Sequence, residues 1–310
     1  MAATKLTDIM KERQTLSFEL YPPKTEKGML KLPDIIAHLC DFQPDYISCT
    51  YGAGGGNVGA NRQVCQMVRN AGSVPVTHFT VIKNTKSKMK EQMDMYLEEG
   101  VDHILALRGD IPLGETTTCG DFQYATDLVK YIKDTYGDKF EIAVAGSPEG
   151  HITCSSIESD IGFLRQKQDN GADYIMTQLC WDMEQFKRWL DMIRKAGVTL
   201  PINVGIMPVL DMKATINVAL SRNGCVIERE LARLISKYWI FPDPFDSNPP
   251  FRDDERERKL ADFRKAGIEY TIKQIEAYRA CGINGIHLYA MNKWEAVTEI
   301  IHATGLNAQI

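Results

Sequence analysis

Apolar positions along this chain follow two alternating rhythms. Short, nearly continuous apolar runs read as strands buried on both faces, and longer stretches with apolar residues every three or four positions read as amphipathic helices. The runs LSFEL (16–20), YISCT (46–50), VPVTHFT (74–80), HILALRG (103–109), EIAVAG (141–146), YIMTQ (174–178), PINVGI (201–206) and GIHLYA (285–290) predict eight strands. Helices are predicted near 27–42, 58–71, 122–135, 226–238 and 255–281, and in the stretch where Met89, Met93, Tyr96 and Leu97 recur at helical spacing. Asp182 followed by Gln185 has the spacing of a capping box and opens a further helix.

Eight strand-then-helix units predict an α/β fold, a closed (β/α)8 TIM barrel taking in 1–310 as a single domain. A doubly wound sheet is the competing arrangement, but it would carry a glycine fingerprint after its first strand. The Gly-rich loop GAGGG (52–56) follows the second strand and lacks both the GxGxxG spacing and a phosphate-loop lysine. It reads as a tight turn. The segment WIFPDPFDSNPPFRDD breaks the rhythm, so a Pro-rich loop insertion is expected around 241–254. The ERERK run that follows reads as a solvated helix face.

Composition narrows the function. At 310 residues, 44% hydrophobic and 25% charged, the chain can bury a sizeable core. A net charge of -5 gives no support for nucleic acid or an anionic membrane as a partner. No apolar run approaches the ~20 residues of a membrane span, and the polar start MAATKLTDIMKERQ is unlike a signal peptide. Eight scattered cysteines, with no CxxC pair, fit reduced thiols and a cytoplasmic location. No ligand spacing suggests a metal.

In a barrel of this kind the chemistry sits at the C-terminal strand ends. ILALRGD (104–110) ends in Arg108, Gly109 and Asp110. The other ends bring Glu19, Thr50, His78, Gln178 and Tyr289 to the same rim. Glu19 lies among apolar neighbours, an environment that raises a carboxyl pKa and suits a general acid. Arg108 has the fork geometry that suits phosphate. Gln178 can hydrogen-bond a heterocycle that both donates and accepts. Taken singly, His78 is equally a core histidine, Thr50 a turn residue and Tyr289 a packing residue. Together they make a polar, largely uncharged ring-binding site, as expected where a cofactor carries the hard chemistry.

The stretches FELYPPK (18–24), CTYGAGG (49–55), THFT (77–80), LALRGD (105–110), MTQLCWD (176–182) and HLYAMNK (287–293) resemble, in order and spacing, the methylenetetrahydrofolate reductase family. The resemblance implies a flavin-containing (β/α)8 barrel, with FAD expected and FMN the alternative. It implies that a nicotinamide nucleotide, NADH or NADPH, or an electron-delivering partner subunit reduces the flavin. The flavin then reduces 5,10-methylenetetrahydrofolate to 5-methyltetrahydrofolate. It further implies that Glu19 protonates the leaving folate nitrogen, Asp110 stabilises the iminium ion and Gln178 orients the pterin, with Tyr289 near the substrate rim. Thr50, His78, Leu107, Arg108, Gly109, Asp110, Tyr124, Ala125, His151, Asp160 and Lys167 match flavin-contacting positions, and a homo-oligomer is expected. The chain departs from the family pattern in THFT, in MTQLCWD, at Lys293 and at Ser147 of SPEGH (147–151). A competing reading keeps the barrel as a non-catalytic folate-binding or scaffold subunit of a one-carbon complex. A Schiff-base aldolase would want a lysine at a strand end, and none is seen.

Overall fold

The computed structural model describes residues 5–51, 58–111, 114–221, 224–241 and 251–306. The GAGGG loop and most of the Pro-rich segment lie outside the described residues. Within them, eight parallel strands close into a barrel in sequence order. They are β1 (Thr15–Leu20), β2 (Tyr46–Cys49), β3 (Val74–Thr80), β4 (His103–Leu107), β5 (Glu141–Gly146), β6 (Tyr174–Thr177), β7 (Ile202–Ile206) and β8 (Gly285–Leu288). The helices are α1 (Leu6–Glu12), α2 (Glu26–Cys40), α3 (Val58–Asn70), α4 (Lys86–Glu98), α5 (Ala125–Tyr136), α6 (Ile157–Asp169), α7 (Met183–Lys195), α8 (Met212–Ala219), α9 (Arg229–Lys237), α10 (Asp253–Ala280) and α11 (Glu295–Thr304). None of the described helices is long and apolar enough to cross a membrane.

The strand runs are apolar on both faces for two different reasons. Leu16, Phe18 and Leu20 of β1, with Ile47, Cys49, Ile104, Ile142, Val144, Ile175, Val204 and Leu288, join the core between the barrel and its helices. The alternate residues turn inward, where Tyr46, Val76, Leu105, Ala143, Tyr174 and Met176 form a separate inner cluster with Leu6 and Met10 of α1. Higher in the barrel the inward positions become polar. Ser17 pairs in register with His287, and Glu19 with Ser48. Asn203 bridges this interior, donating to the Tyr46 hydroxyl at 2.8 Å, with Thr15 Oγ1 at 3.3 Å from its Oδ1.

Helix α1, which has no counterpart in the sequence reading, stoppers the N-terminal end. Leu6 and Met10, four residues apart and so on one face, are its buried positions. Its first-turn N–H groups would be orphaned at a buried helix start. Glu141 accepts them, from Leu6 N at 2.7 Å and Thr7 N at 2.9 Å. His103 completes the arrangement, with Nε2 3.1 Å from Glu141 and Nδ1 2.7 Å from Asp102. The predicted capping box opening α7 is only half formed. Asp182 accepts from Gln185 N at 3.0 Å, but the Gln185 side chain donates to Pro148 O at 2.7 Å instead of reaching back.

The stopper makes stability depend on pH from both sides. Burial opposes the charge on Glu141, yet His103 and Thr7 outweigh it and hold the carboxyl down to about 2, from 4.5. Burial likewise opposes His103, yet Asp102 and Glu141 raise it from 6.5 to about 9. The depressed carboxyl contributes stability above about 4.5 that is lost as pH falls toward about 2. The raised imidazole contributes stability below about 6.5 that is lost as pH rises toward about 9. The thermal midpoint should therefore be highest between those limits. Glu141→Gln should cost about 3 kcal/mol and flatten both flanks of the profile. An unchanged profile in that variant would contradict the stopper's role.

Candidate active site

A cavity of about 870 Å3 opens at the C-terminal ends of the strands. That is in the range of small-molecule and cofactor sites. Every residue predicted for the site except Tyr289 lines it, from Glu19 and Thr50 on one side to Asp160 and Lys167 on the other. Tyr289 stands behind the wall, its hydroxyl donating to Thr177 O at 3.1 Å and its ring edge-on to His287 at 5.6 Å.

Glu19 forms the floor. Its Oε2 lies 3.5 Å from His78 Nε2 and 3.8 Å from His287 Nε2. His287 Nδ1 is 2.8 Å from Ser17 Oγ, and Ser48 Oγ sits between the two imidazoles at 3.4 and 3.3 Å. The expected apolar pocket is therefore corrected. Burial does push the Glu19 carboxyl up, but the His287 hydrogen bond and the nearby His78 and His287 outweigh it, so Glu19 is held below the usual carboxylate range. Burial also holds His78 below 6.5, against the pull of Glu19. At neutral pH the floor rests as a carboxylate beside a neutral His78 imidazole.

The opposite side carries the cations. Arg108 is 3.3 Å from Thr153 Oγ1, and Thr153 in turn is 3.0 Å from His151 Nδ1. Lys167 reaches Ala145 O at 3.0 Å. Burial lowers its pKa, with Asp160 opposing and Arg108 adding to the fall. Two cations lining one cavity, one of them desolvated, favour an anion between them. Asp160 supports the loop from below by accepting from His151 N at 3.3 Å. Tyr124 and Phe163 stack at the mouth with ring centroids 5.9 Å apart, and both are partly exposed. Asp127 fixes Tyr124 by accepting from its backbone N–H at 3.0 Å. In SPEGH, Ser147 and His151 face the cavity, whereas Glu149 turns aside and accepts from Val226 N at 3.1 Å.

Gln178 is half committed. Its Oε1 accepts from Leu179 N at 2.9 Å, so the amide NH2 is the part left for a ligand. Asp110 is exposed and makes no hydrogen bond or ion pair among the described residues. Thr50 is set by Asn61, whose Nδ2 donates to Cys49 O and Thr50 O at 2.8 and 3.0 Å. Thr80 is a lining residue missed in the sequence. Its buried Oγ1 has no hydrogen-bond partner among the described residues, as expected of a group that a bound ligand satisfies. Its place as the last residue of THFT was the available signal. No group of three His, Cys, Asp or Glu side chains suited to a metal occurs among the described residues.

A (β/α)8 barrel with a cofactor-sized cavity, a partly buried carboxylate on the floor and two cations opposite belongs to a class: barrels whose C-terminal cavity suits an anionic small molecule. The particular family follows from comparison. Residues 5–305 match the methylenetetrahydrofolate reductase family, and the chain belongs to it. It is 33% identical over 301 residues to methylenetetrahydrofolate reductase 1 of Schizosaccharomyces pombe, covering 96% of this chain and 47% of that protein. It is 29% identical over 292 residues to the 5,10-methylenetetrahydrofolate reductase of Escherichia coli, covering 94% of this chain and 90% of that one. The chain thus spans about half the length of the yeast relative and nearly all of the bacterial one. A solved Clostridium thermocellum protein, described as binding two copies of 5-methyl-5,6,7,8-tetrahydrofolic acid, shares the fold with a TM-score of 0.61 at 14% identity. The match covers 99% of this chain and 100% of that one.

Gly109 sets how closely anything can approach the Arg108–Asp110 turn. Its φ is +81°, and a Cβ there would lie 2.7 Å from Ile82 Cγ1 and 3.0 Å from Thr80 Cβ. Gly109→Ala should cost about 1–3 kcal/mol and displace Arg108 and Asp110 together. Calorimetric unfolding and the flavin content of the purified variant check this. Full stability with full flavin loading would show that the turn tolerates a side chain.

Proposed function

We propose that the chain reduces 5,10-methylenetetrahydrofolate to 5-methyltetrahydrofolate with a bound flavin as redox group. The observation that carries this reading is the meeting of Glu19, Asp110 and Gln178 on one cavity whose other side presents Arg108 and Lys167. The residues fit a flavin nucleotide. Arg108 and Lys167 suit its phosphates, the unsatisfied Thr80 hydroxyl supplies a buried hydrogen-bonding group, and Gly109 permits close approach of a ring. We favour FAD over FMN because the cavity extends to the Tyr124–Phe163 stack, a planar surface suited to a second, purine ring. When bound, the flavin supplies the two-electron chemistry that links a nicotinamide nucleotide to the folate.

The remaining work belongs to the chain. Opening the folate's five-membered ring leaves charge on a departing nitrogen, which Glu19 protonates. Resting Glu19 is a carboxylate, so it must take up a proton when substrate covers the site. Expelling water pushes its pKa up, so the proton comes from solvent as the substrate binds, while His78 and His287 at 3.5 and 3.8 Å hold the carboxyl in place. Asp110, which makes no ion pair among the described residues, stabilises the cationic iminium that ring opening creates. The Gln178 amide orients the pterin. Eight cysteines without a disulfide support a reducing, cytoplasmic setting.

Glu19→Gln tests the assignment, because the amide keeps the shape and loses the proton. Under anaerobic rapid mixing, bleaching of the flavin by NADH or NADPH should stay near the wild-type rate. Reoxidation by methylenetetrahydrofolate should slow by about 10²–10⁴-fold. Equal loss of both half-reactions would sink the acid role. A colourless protein that still binds folate would favour the scaffold reading.

A further inference from the structure

The connection from β5 to α6 carries much of the cation side of the cavity. Ser147, His151, Thr153, Cys154 and Ser155 all line it, and Arg108 meets Thr153 Oγ1 at 3.3 Å. Side chains tie this loop to its neighbours. Gln185 of α7 donates to Pro148 O at 2.7 Å, and Asp160 of α6 accepts from His151 N at 3.3 Å. A further tie crosses to the connection between α8 and α9, where Glu149 Oε1 accepts from Val226 N at 3.1 Å. The two segments are packed together there: a Cβ on Gly224 would lie 3.6 Å from Ile152 Cβ and 3.7 Å from Gly150 O.

The Glu149 tie differs from the others in its charge balance. Its Oε2 is buried and has no hydrogen-bond partner among the described residues. The ionisable groups that face the carboxyl are Asp182 at the start of α7, the thiols of Cys180 and Cys225, and the Tyr278 hydroxyl of α10. None of these is a cation. A carboxylate at this point is desolvated, repelled by Asp182 and supported by one N–H group, whereas a carboxylic acid accepts the same bond without the charge. Burial, with Asp182 adding to it, raises the Glu149 pKa from 4.5 to about 7, against the pull of the Val226 N–H.

We propose that Glu149 is a positioning residue for the loop that holds the flavin, and that it fastens this loop to Val226 more firmly with its proton on than off. The cofactor half rests on the flavin reading above. A carboxyl whose pKa is higher tied than free supports the tie fully below about 4.5, and that support is lost as pH rises to about 7. The loop therefore loosens toward neutral pH and carries the Thr153–Arg108 contact with it. His151, in the same loop, also changes charge in this range, since burial and Arg108 hold it below 6.5. Substitution at Glu149 separates the two. Glu149→Gln keeps the shape and the acceptor but cannot titrate, and Glu149→Ala removes the tie.

Hydrogen exchange at the Val226 amide of the flavin-loaded protein, corrected for the intrinsic rate, reads the tie directly. The rate of flavin release reads its consequence. Between about pH 5 and about pH 7.5 the wild type should lose Val226 protection and release flavin about fivefold faster, the worth of one hydrogen bond. Glu149→Gln should keep both readouts near their acid values across the range. Glu149→Ala should show low protection and fast release throughout. A wild-type pH dependence that survives unchanged in Glu149→Gln overturns the proposal and assigns the titration to His151. Val226 protection that follows Glu149 while flavin release does not overturns the positioning role. A protein that loads no flavin overturns the flavin reading, and its Val226 protection still decides the tie.

Discussion

The buried polar row that runs up the inside of the barrel is the constraint on which the rim depends. Ser17, Ser48, His287 and Asn203 are fully or almost fully buried, and Glu19 stands at the top of their column. A polar group so buried costs free energy unless it is hydrogen-bonded. Each of these finds a partner on another strand: Ser17 with His287, Ser48 with His78 and His287, Asn203 with Tyr46. Strand register supplies the partners, and a one-residue slip of β1 would turn Phe18 inward and Glu19 out. Closure of the barrel and placement of the carboxylate are therefore one requirement.

The barrel divides its labour along its axis. At the N-terminal end, apolar inward residues and α1 form a plug locked by the Asp102–His103–Glu141 cluster. At the C-terminal end the same inward alternation carries polar groups, and the strands end in loops that leave a cavity. Both ends contain a carboxylate beside histidine, with opposite consequences. Glu141 is saturated by α1 N–H groups and His103 and has no face open to a ligand, so it fixes structure. Glu19 keeps part of its surface open to the cavity, so its proton affinity can change when a ligand arrives.

The strands were legible because parallel strands buried on both faces leave uninterrupted apolar runs, and all eight fell close to their predicted places. What the runs cannot show is which residues meet across the barrel. Glu19 has Phe18 and Leu20 as chain neighbours, which on sequence alone predict a carboxyl in an apolar pocket. Those two side chains face the helices, while His78 and His287 arrive from β3 and β8. Tyr289 shows the same limit, because its hydroxyl is claimed by Thr177 on a neighbouring strand. Helix α1 escaped notice because seven residues with two buried positions give hardly any periodicity. Most of the cavity residues are marked by the family's motifs and not by any local physical signal. Asp160 and Lys167 lie on α6, a helix the hydrophobic pattern alone did not single out.

The visible spectrum of the purified protein, followed through one cycle without oxygen, tests the central claim most directly. Flavin bands bleached by NADH or NADPH and restored by 5,10-methylenetetrahydrofolate, with 5-methyltetrahydrofolate as product, are the predicted result. Release of the chromophore then separates FAD from FMN. Flavin that bleaches but is not restored by the folate would contradict the assigned substrate, and flavin that no nicotinamide bleaches would place the electron source in a partner protein. A protein that holds no flavin after reconstitution would contradict the account of the cavity itself.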